Sequence, residues 1–570
     1  MKVKTVIALF VLLALLFTAH AMFARGGRGD EPAEPEEKAA PAEKEEKPKK
    51  APEQVLIFGS SGDVARLDPS DVTDGESIQR MDNIFEALVE YKPGSTEIMP
   101  GLATSWEVSP DGKEITFMLR KGVKFHDGTD FNADAVVFSF ARQYDPEHPH
   151  HQYGQWAYWG WMFYDIDRVE KIDDYTVKMY LSNTNASIMT SLAMFTANIV
   201  SPANAEKWGE DAFAHPVGTG PFKFVEWVKD DHITLEAYGG YWKGRPKLDK
   251  LIFRVIPDAS ARLLALETGE VGGIEYPNPA DFDRIEANSD LVLMSEPGMN
   301  VGYLALNAGY GYKDANENGI RDDNEPWVKT EGFHEALTKK KVRQAINMAI
   351  DKKSIVRDLY MGTASVAKNG MPPFMIGYND GVQDWPYDPE RAKKLLAEAG
   401  YADGFDVVFY VMPVSRPYMF DPPKIGEAIQ SYLAAVGIMA KIYQVDWGTY
   451  LQETQFGKAP MCLLGWTGDN GDPDNFMNVL YGPNATSIGT AGNYGFYNDM
   501  EAQKLLTAAL QTFDVGKRAE YYMEFQEMIH ESANFVYLAH ANQNLAFRKN
   551  TKGYQMHPTS RKFFYPCYIE

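Results

Sequence analysis

The segment Asp314-Ala-Asn-Glu-Asn-Gly-Ile-Arg-Asp-Asp-Asn-Glu325 has oxygen side chains at Asp314, Asn316, Asn318 and Asp322, a glycine at the sharp turn, a main-chain oxygen at Ile320, and Glu325 last. This spacing suits calcium, which takes roughly six to eight oxygens. Pro326 opposes a helix directly afterwards, so the expected site is an isolated structural loop; the alternative is a solvated Asp/Asn-rich turn. The cluster His148-Pro-His-His151 invites a metal or haem reading, but spacing alone does not close a site, and solvated rings are expected. Cys462 and Cys567 are the only cysteines, too few for a disulfide scaffold or a four-cysteine metal site. They either pair or are small buried side chains, and the second is preferred. Gly218-Thr-Gly220 lacks the longer glycine pattern and the lysine of phosphate loops. An exported hydrolase would need a nucleophile or a catalytic metal, and no Gly-x-Ser-x-Gly elbow or His-Glu-x-x-His segment occurs. Asp469, among Gly, Asn and Pro, reads on its own as a turn aspartate, and Arg416 as a surface arginine.

These residues are spread over 570 positions, more than one hydrophobic core usually supports, so two or three lobes are expected. Hydrophobic content of 45% and charged content of 24% are those of a globular protein. A net charge of -23 repels nucleic acid and anionic headgroups, so nucleic acid is not an expected partner. Residues 1–21 have the layout of a signal peptide: Lys2 and Lys4, an apolar run from Val6 to Phe17, then Ala19-His20-Ala21. No cysteine stands near that cleavage point, which closes the lipoprotein route and points to the periplasm. The alternative is an uncleaved anchor, but Thr18 and His20 leave the run short of the roughly 20 apolar residues of a span. Residues 22–52 are largely Glu, Pro, Ala and Lys, a spacer that buries too little apolar surface to fold.

The body opens with the apolar run Val55–Gly59, expected as a buried strand. Trp106-Glu-Val108, the turn Ser109-Pro-Asp-Gly112 and the alternating Ile115, Phe117 and Leu119 predict a hairpin. Val177, Met179 and Leu181 predict a further strand. Val342, Ile346, Ala349 and Ile350 fall at helical spacing, as do Ala392, Leu395, Leu396 and Ala399 with Gly400 to stop the helix. Strands and helices interleave, so mixed α/β lobes follow.

Several runs then carry a resemblance: Pro100-Gly-Leu-Ala-Thr-Ser-Trp106, Phe117-Met-Leu-Arg-Lys-Gly-Val-Lys-Phe-His-Asp-Gly128, Val217-Gly-Thr-Gly-Pro-Phe222 and Trp466-Thr-Gly-Asp-Asn-Gly-Asp-Pro-Asp-Asn-Phe476. In this order they resemble the bacterial dipeptide-binding proteins, within the oligopeptide/dipeptide/nickel-binding receptors of ABC importers (solute-binding protein family 5). The resemblance implies an α/β, periplasmic-binding-protein-like, two-lobed clamp of the large three-domain (cluster C) type, usually a monomer. Domain I would gather 53–88, 217–305 and 535–570, domain II 89–216, and domain III 306–534. It implies a receptor, not an enzyme, that needs no cofactor and hands short peptides, dipeptides above all, to permease subunits in the inner membrane.

The same resemblance assigns the site. Asp469 matches the position that takes a ligand's ammonium, and Arg416 the position that takes its carboxylate, where a planar fork donates two parallel bonds. Past Arg416 the sequence reads Pro-Tyr-Met-Phe-Asp-Pro, a departure from the asparagine-rich pattern expected there. Trp466 is expected either to line the cleft or to pack in the core. Gly75 is expected to supply a backbone bond to the peptide group, and the aromatic stretch Tyr153–Trp161 to reach the ligand or pack between lobes. Within the family an oligosaccharide, haem or nickel complex is the rival cargo, but a charge pair spaced for a zwitterion favours peptide.

Overall fold

Leu56 and Phe58 are fully buried in the strand Val55–Ser60, which pairs in parallel with Lys250–Val255 and Gly273–Glu275. They belong to a computed structural model that describes residues 52–315 and 319–570, Trp161 without its side chain. The expected signal peptide (1–21) and spacer (22–52, Pro52 excepted) lie outside the described residues, as do Asn316 and Asn318.

The expected hairpin forms from Ala103–Val108 and Glu114–Leu119. Its turn closes through the Gly112 N–H, which donates to the Ser109 carbonyl at 2.8 Å with Gly112 at φ +69. Ile115, Phe117 and Leu119 are buried at alternate positions, as are Val177, Met179 and Leu181 of Thr176–Leu181. With Ile166–Asp173 these strands make a four-stranded antiparallel sheet. The helices Lys340–Ala349 and Pro389–Glu398 bury Val342, Ile346 and Ala349, and Ala392, Leu395 and Leu396, respectively, while Ile350 and the partly buried Ala399 are their C-cap residues. Asp388 caps the second of them by accepting from the Arg391 N–H at 2.8 Å, and Gly400 follows its end at φ +91.

A sheet of twelve strands runs through the molecule. Its hub is the 14-residue strand Phe535–Arg548. The first half of this strand pairs with Asn300–Leu306 and Ala364–Val366, the second half with Leu291–Pro297 and Gly273–Glu275. The apolar side chains separate in the same way. Phe535 to Ala541 join a core drawn from Met299 onward, while Leu545 and Phe547 join a second core built from Leu56–Phe253 and the C-terminal segment. Two large cores, and a smaller cluster in which Ala546 joins Leu263, Leu266 and Ile274, thus share one continuous strand. No described helix is long and apolar enough to cross a membrane.

Candidate ligand-binding cleft

A cleft of about 2550 Å³ is lined by Gly75, Tyr158 and Tyr276 from the N-terminal half and by Arg416, Trp447, Trp466 and Asp469 from the C-terminal half. All four residues expected to hold ligand therefore face one space. Its volume exceeds the roughly 300–1,000 Å³ of an ordinary small-molecule site, leaving room for a flexible ligand with its water.

Asp469 lies two residues beyond the strand Met461–Thr467. Its backbone N–H donates to Asn475 Oδ1 at 2.9 Å. Its carboxyl receives two neutral donors, the Tyr158 hydroxyl at 3.2 Å on Oδ1 and Asn475 Nδ2 at 3.3 Å on Oδ2. No cation among the described residues comes within ion-pair distance of it. Burial pushes the carboxyl up to about 7, against the pull of the bonds from Asn475 and Tyr158. An acid placed this way is stabilised in its charged form by an arriving cation. Tyr158 comes from the aromatic stretch flagged in the sequence, which also lines the cleft through Gln155, Trp156 and Gly160.

Arg416 sits in a tight turn in which it and Met419 exchange backbone bonds, both 2.9 Å. Pro417 suits the bend and Tyr418 is buried beneath it. The turn presses on the strand that carries Trp466. A Cβ on Gly465 would come within 2.3 Å of Tyr418 Cδ2 and 2.5 Å of the Val301 carbonyl oxygen, so only glycine admits this approach. The guanidinium lies over the Trp447 ring at 4.4 Å. That contact is of the cation–π kind, and a guanidinium carries several N–H donors that a planar anion can meet. No carboxylate among the described residues forms a salt bridge with it. The sequence reading missed Trp447, which opens the helix Trp447–Gln455 and carries no motif.

Trp466 is partly buried, lines the cleft and packs against the edge of the larger core. Its indole N–H donates to Asn475 Oδ1 at 3.0 Å. Gly75 is the first residue of the helix Gly75–Met81, whose cap Asp74 accepts from the Ser77 N–H at 2.9 Å. Beside it the Ser61 hydroxyl lies 2.9 Å from both Glu76 Oε1 and Glu275 Oε1. Burial and the neighbouring Glu275 charge push Glu76 up to about 7. Burial works against the Glu275 carboxylate too, but Lys562 and Arg80 outweigh it and hold Glu275 down to about 2.

In the candidate calcium loop, the two Glu325 oxygens accept from the Ala315 N–H at 2.7 Å and the Asp322 N–H at 3.0 Å. The Gly319 N–H donates to Asp314 Oδ2 at 2.7 Å. Among the described residues no group of three or more His, Cys, Asp or Glu side chains could hold a metal ion. His148 and His150 pack edge-on against Phe138, and His151 Nδ1 is 3.0 Å from the Arg142 carbonyl oxygen. Cys462 and Cys567 are both free and buried, and burial raises both thiols, that of Cys567 to about 12.

Residues 97–487 match the family model of bacterial extracellular solute-binding proteins, family 5 middle region. The chain is 39% identical over 536 residues to the dipeptide-binding protein of Escherichia coli K12, covering 91% of this chain and 95% of that one. It is 36% identical to the heme-binding protein A of Haemophilus influenzae Rd, covering 92% and 93%. The structure is similar to that of the ABC transporter-associated periplasmic binding protein DppA from Helicobacter pylori in complex with the peptide STSA, with a TM-score of 0.80 and 34% identity, covering 90% of this chain and 98% of that one.

Proposed function

Because the chain belongs to family 5 of the bacterial extracellular solute-binding proteins, we propose that it is the periplasmic receptor of an ABC importer. In this reading it captures short peptides, dipeptides in particular, and delivers them as a monomer to the membrane permease without catalysing a reaction. One observation carries the choice of cargo: among the described residues Asp469 has no cationic partner and Arg416 no acidic one, and both face a single cleft. A zwitterionic peptide satisfies both, and leaving either ion unpaired in a closed site would cost several kcal/mol. Gly75 offers a backbone N–H from a helix first turn, which has no intrahelical acceptor. Trp466 offers an apolar wall.

Closure is proposed between the lobes 53–88, 217–305 and 535–570 with 89–216 on one side, and 306–534 on the other. Two large cores joined through Phe535–Arg548 support two lobes, although Met299–Ala305 and Phe535–Ala541 pack with the core of 306–534 rather than with that of 53–88 and 89–216. Export through residues 1–21 and calcium in the loop 314–325 remain proposals from the sequence pattern. Haem finds less use for Asp469, since its propionates are themselves anionic. Mass spectrometry of ligand carried through purification tests the reading. A short peptide with free termini is expected, and a haem, sugar or nickel complex in its place would overturn it.

A further inference from the structure

One buried side chain at the cleft has no part in the capture of ligand described above. Asn475 is 1% exposed and sits in the single turn Asp474–Phe476. Its Oδ1 accepts from the Trp466 indole at 3.0 Å and from the Asp469 backbone N–H at 2.9 Å. Both partners can only donate, so the amide cannot be reversed, and its Nδ2 must face Asp469 Oδ2 at 3.3 Å, with the Met162 sulfur at 3.8 Å on the other side.

We infer that Asn475 is a positioning residue that ties the Trp466 ring and the Asp469 carboxylate to one neutral side chain, setting the aim of the acid and its readiness for a ligand ammonium. The inference rests on the peptide reading, with Asp469 as the ammonium's partner. Neutrality is the essential property. A lysine in this place would cancel the Asp469 charge and remove the site's demand for a cation, while a carboxylate would repel the Asp469 charge and favour its protonated form. An amide orients the acid through one bond and leaves its charge for the ligand. Asn475 acts through Asp469 and Trp466 and need not touch the peptide.

The test compares the unaltered full-length protein with Asn475→Ala, Asn475→Asp and Asp469→Ala by calorimetric titration with the unblocked dipeptide Ala-Leu, from about pH 5.5 to about pH 8. The groups facing Asp469 are the Tyr158 and Tyr91 hydroxyls, both raised by burial and protonated throughout this range. Arg561 and Asp472 lie beyond Tyr91. Asp474 on the same turn is pushed up to about 8 by burial and by the Asp472 charge, so each variant is also made with Asp474→Asn. Asn475→Ala is expected to weaken binding by about tenfold or more at about pH 7.5, and to abolish the ligand-induced fluorescence change that Trp466→Phe abolishes. Asn475→Asp, nearly isosteric, is expected to move the midpoint of the affinity–pH curve upward. Weaker binding in both variants with an unmoved midpoint and intact Trp466 signal would make the role merely structural and overturn the inference, as would unchanged affinity. If Asn475→Ala does not fold, the midpoint of Asn475→Asp decides alone. Undiminished binding by Asp469→Ala would instead remove the peptide reading itself, whatever Asn475 does.

Discussion

If Asp469 receives the ammonium as proposed, peptide affinity should fall as pH drops below neutrality, because burial raises that carboxyl to about 7 in the unliganded protein. Burial moves Asp469 from the ordinary carboxyl value of 3.8 to about 7, which costs roughly 4 kcal/mol of ionisation at about 1.36 kcal/mol per tenfold. Bound ammonium favours the charged form, so the carboxyl's pKa is lower in the complex than in the free protein. The binding contribution is then fully present above the free-protein value and is lost as pH falls through it. For a free-protein value of about 7, affinity should drop about tenfold between pH 8 and pH 6, and by about another tenfold at pH 5. Above about pH 8 the ligand's own α-amino group deprotonates, so affinity should peak between roughly pH 7 and 8. Calorimetric titration in two buffers of different ionisation enthalpy should also detect close to one proton released per peptide bound at about pH 6. Glu76 and Asp474 are raised into the same range, so the comparison includes Glu76→Gln and Asp474→Asn, both expected to retain the slope, and Asp469→Asn, expected to lose it together with most affinity. A level affinity between pH 5 and 7.5 in the unaltered protein, or a slope that survives in Asp469→Asn, would refute the assignment of the ammonium to this carboxylate.

The same raised carboxyl disfavours the unliganded fold once it ionises: its folded value lies above the unfolded one, so stability is lost as pH rises from about 4 to about 7. Asp469→Asn should therefore raise thermal stability at about pH 7.5, by roughly 1–3 kcal/mol, while abolishing capture; an unchanged or lowered melting temperature counts against it. Arg416→Lys keeps the charge but not the two-pronged geometry or the Trp447 contact, and dipeptide affinity measured by calorimetry should fall about tenfold, with Arg416→Ala losing more. Gly465→Ala drives a methyl group into Tyr418 and the Val301 carbonyl; chemical denaturation should show a loss of roughly 1–3 kcal/mol, with weaker peptide binding because the Arg416 turn shifts. For the loop 314–325, the sequence pattern expects calcium to release or absorb heat in a titration, with the signal lost in Asp314→Ala; a flat titration of the unaltered protein would remove the ion.

Part of this protein is determined by short-range sequence pattern alone. The alternation of Ile115, Phe117 and Leu119 and the helical spacing of Ala392, Leu395 and Leu396 report burial on one face, and that periodicity is local physics needing no knowledge of distant segments. The turn at Gly112 and the stop at Gly400 follow from backbone freedom in the same way. The site is different. Asp469 in isolation is a turn aspartate; resemblance to known receptors, not its own surroundings, singled it out. Tertiary structure decided that Tyr158, over three hundred positions earlier, caps the same carboxyl, that Trp447 backs Arg416, and that Asn475 joins Trp466 to Asp469. The raised Asp469 carboxyl likewise depends on how completely distant chain segments strip water from it. Desolvation and hydrogen-bond direction are properties of three-dimensional neighbours, and linear order does not carry them.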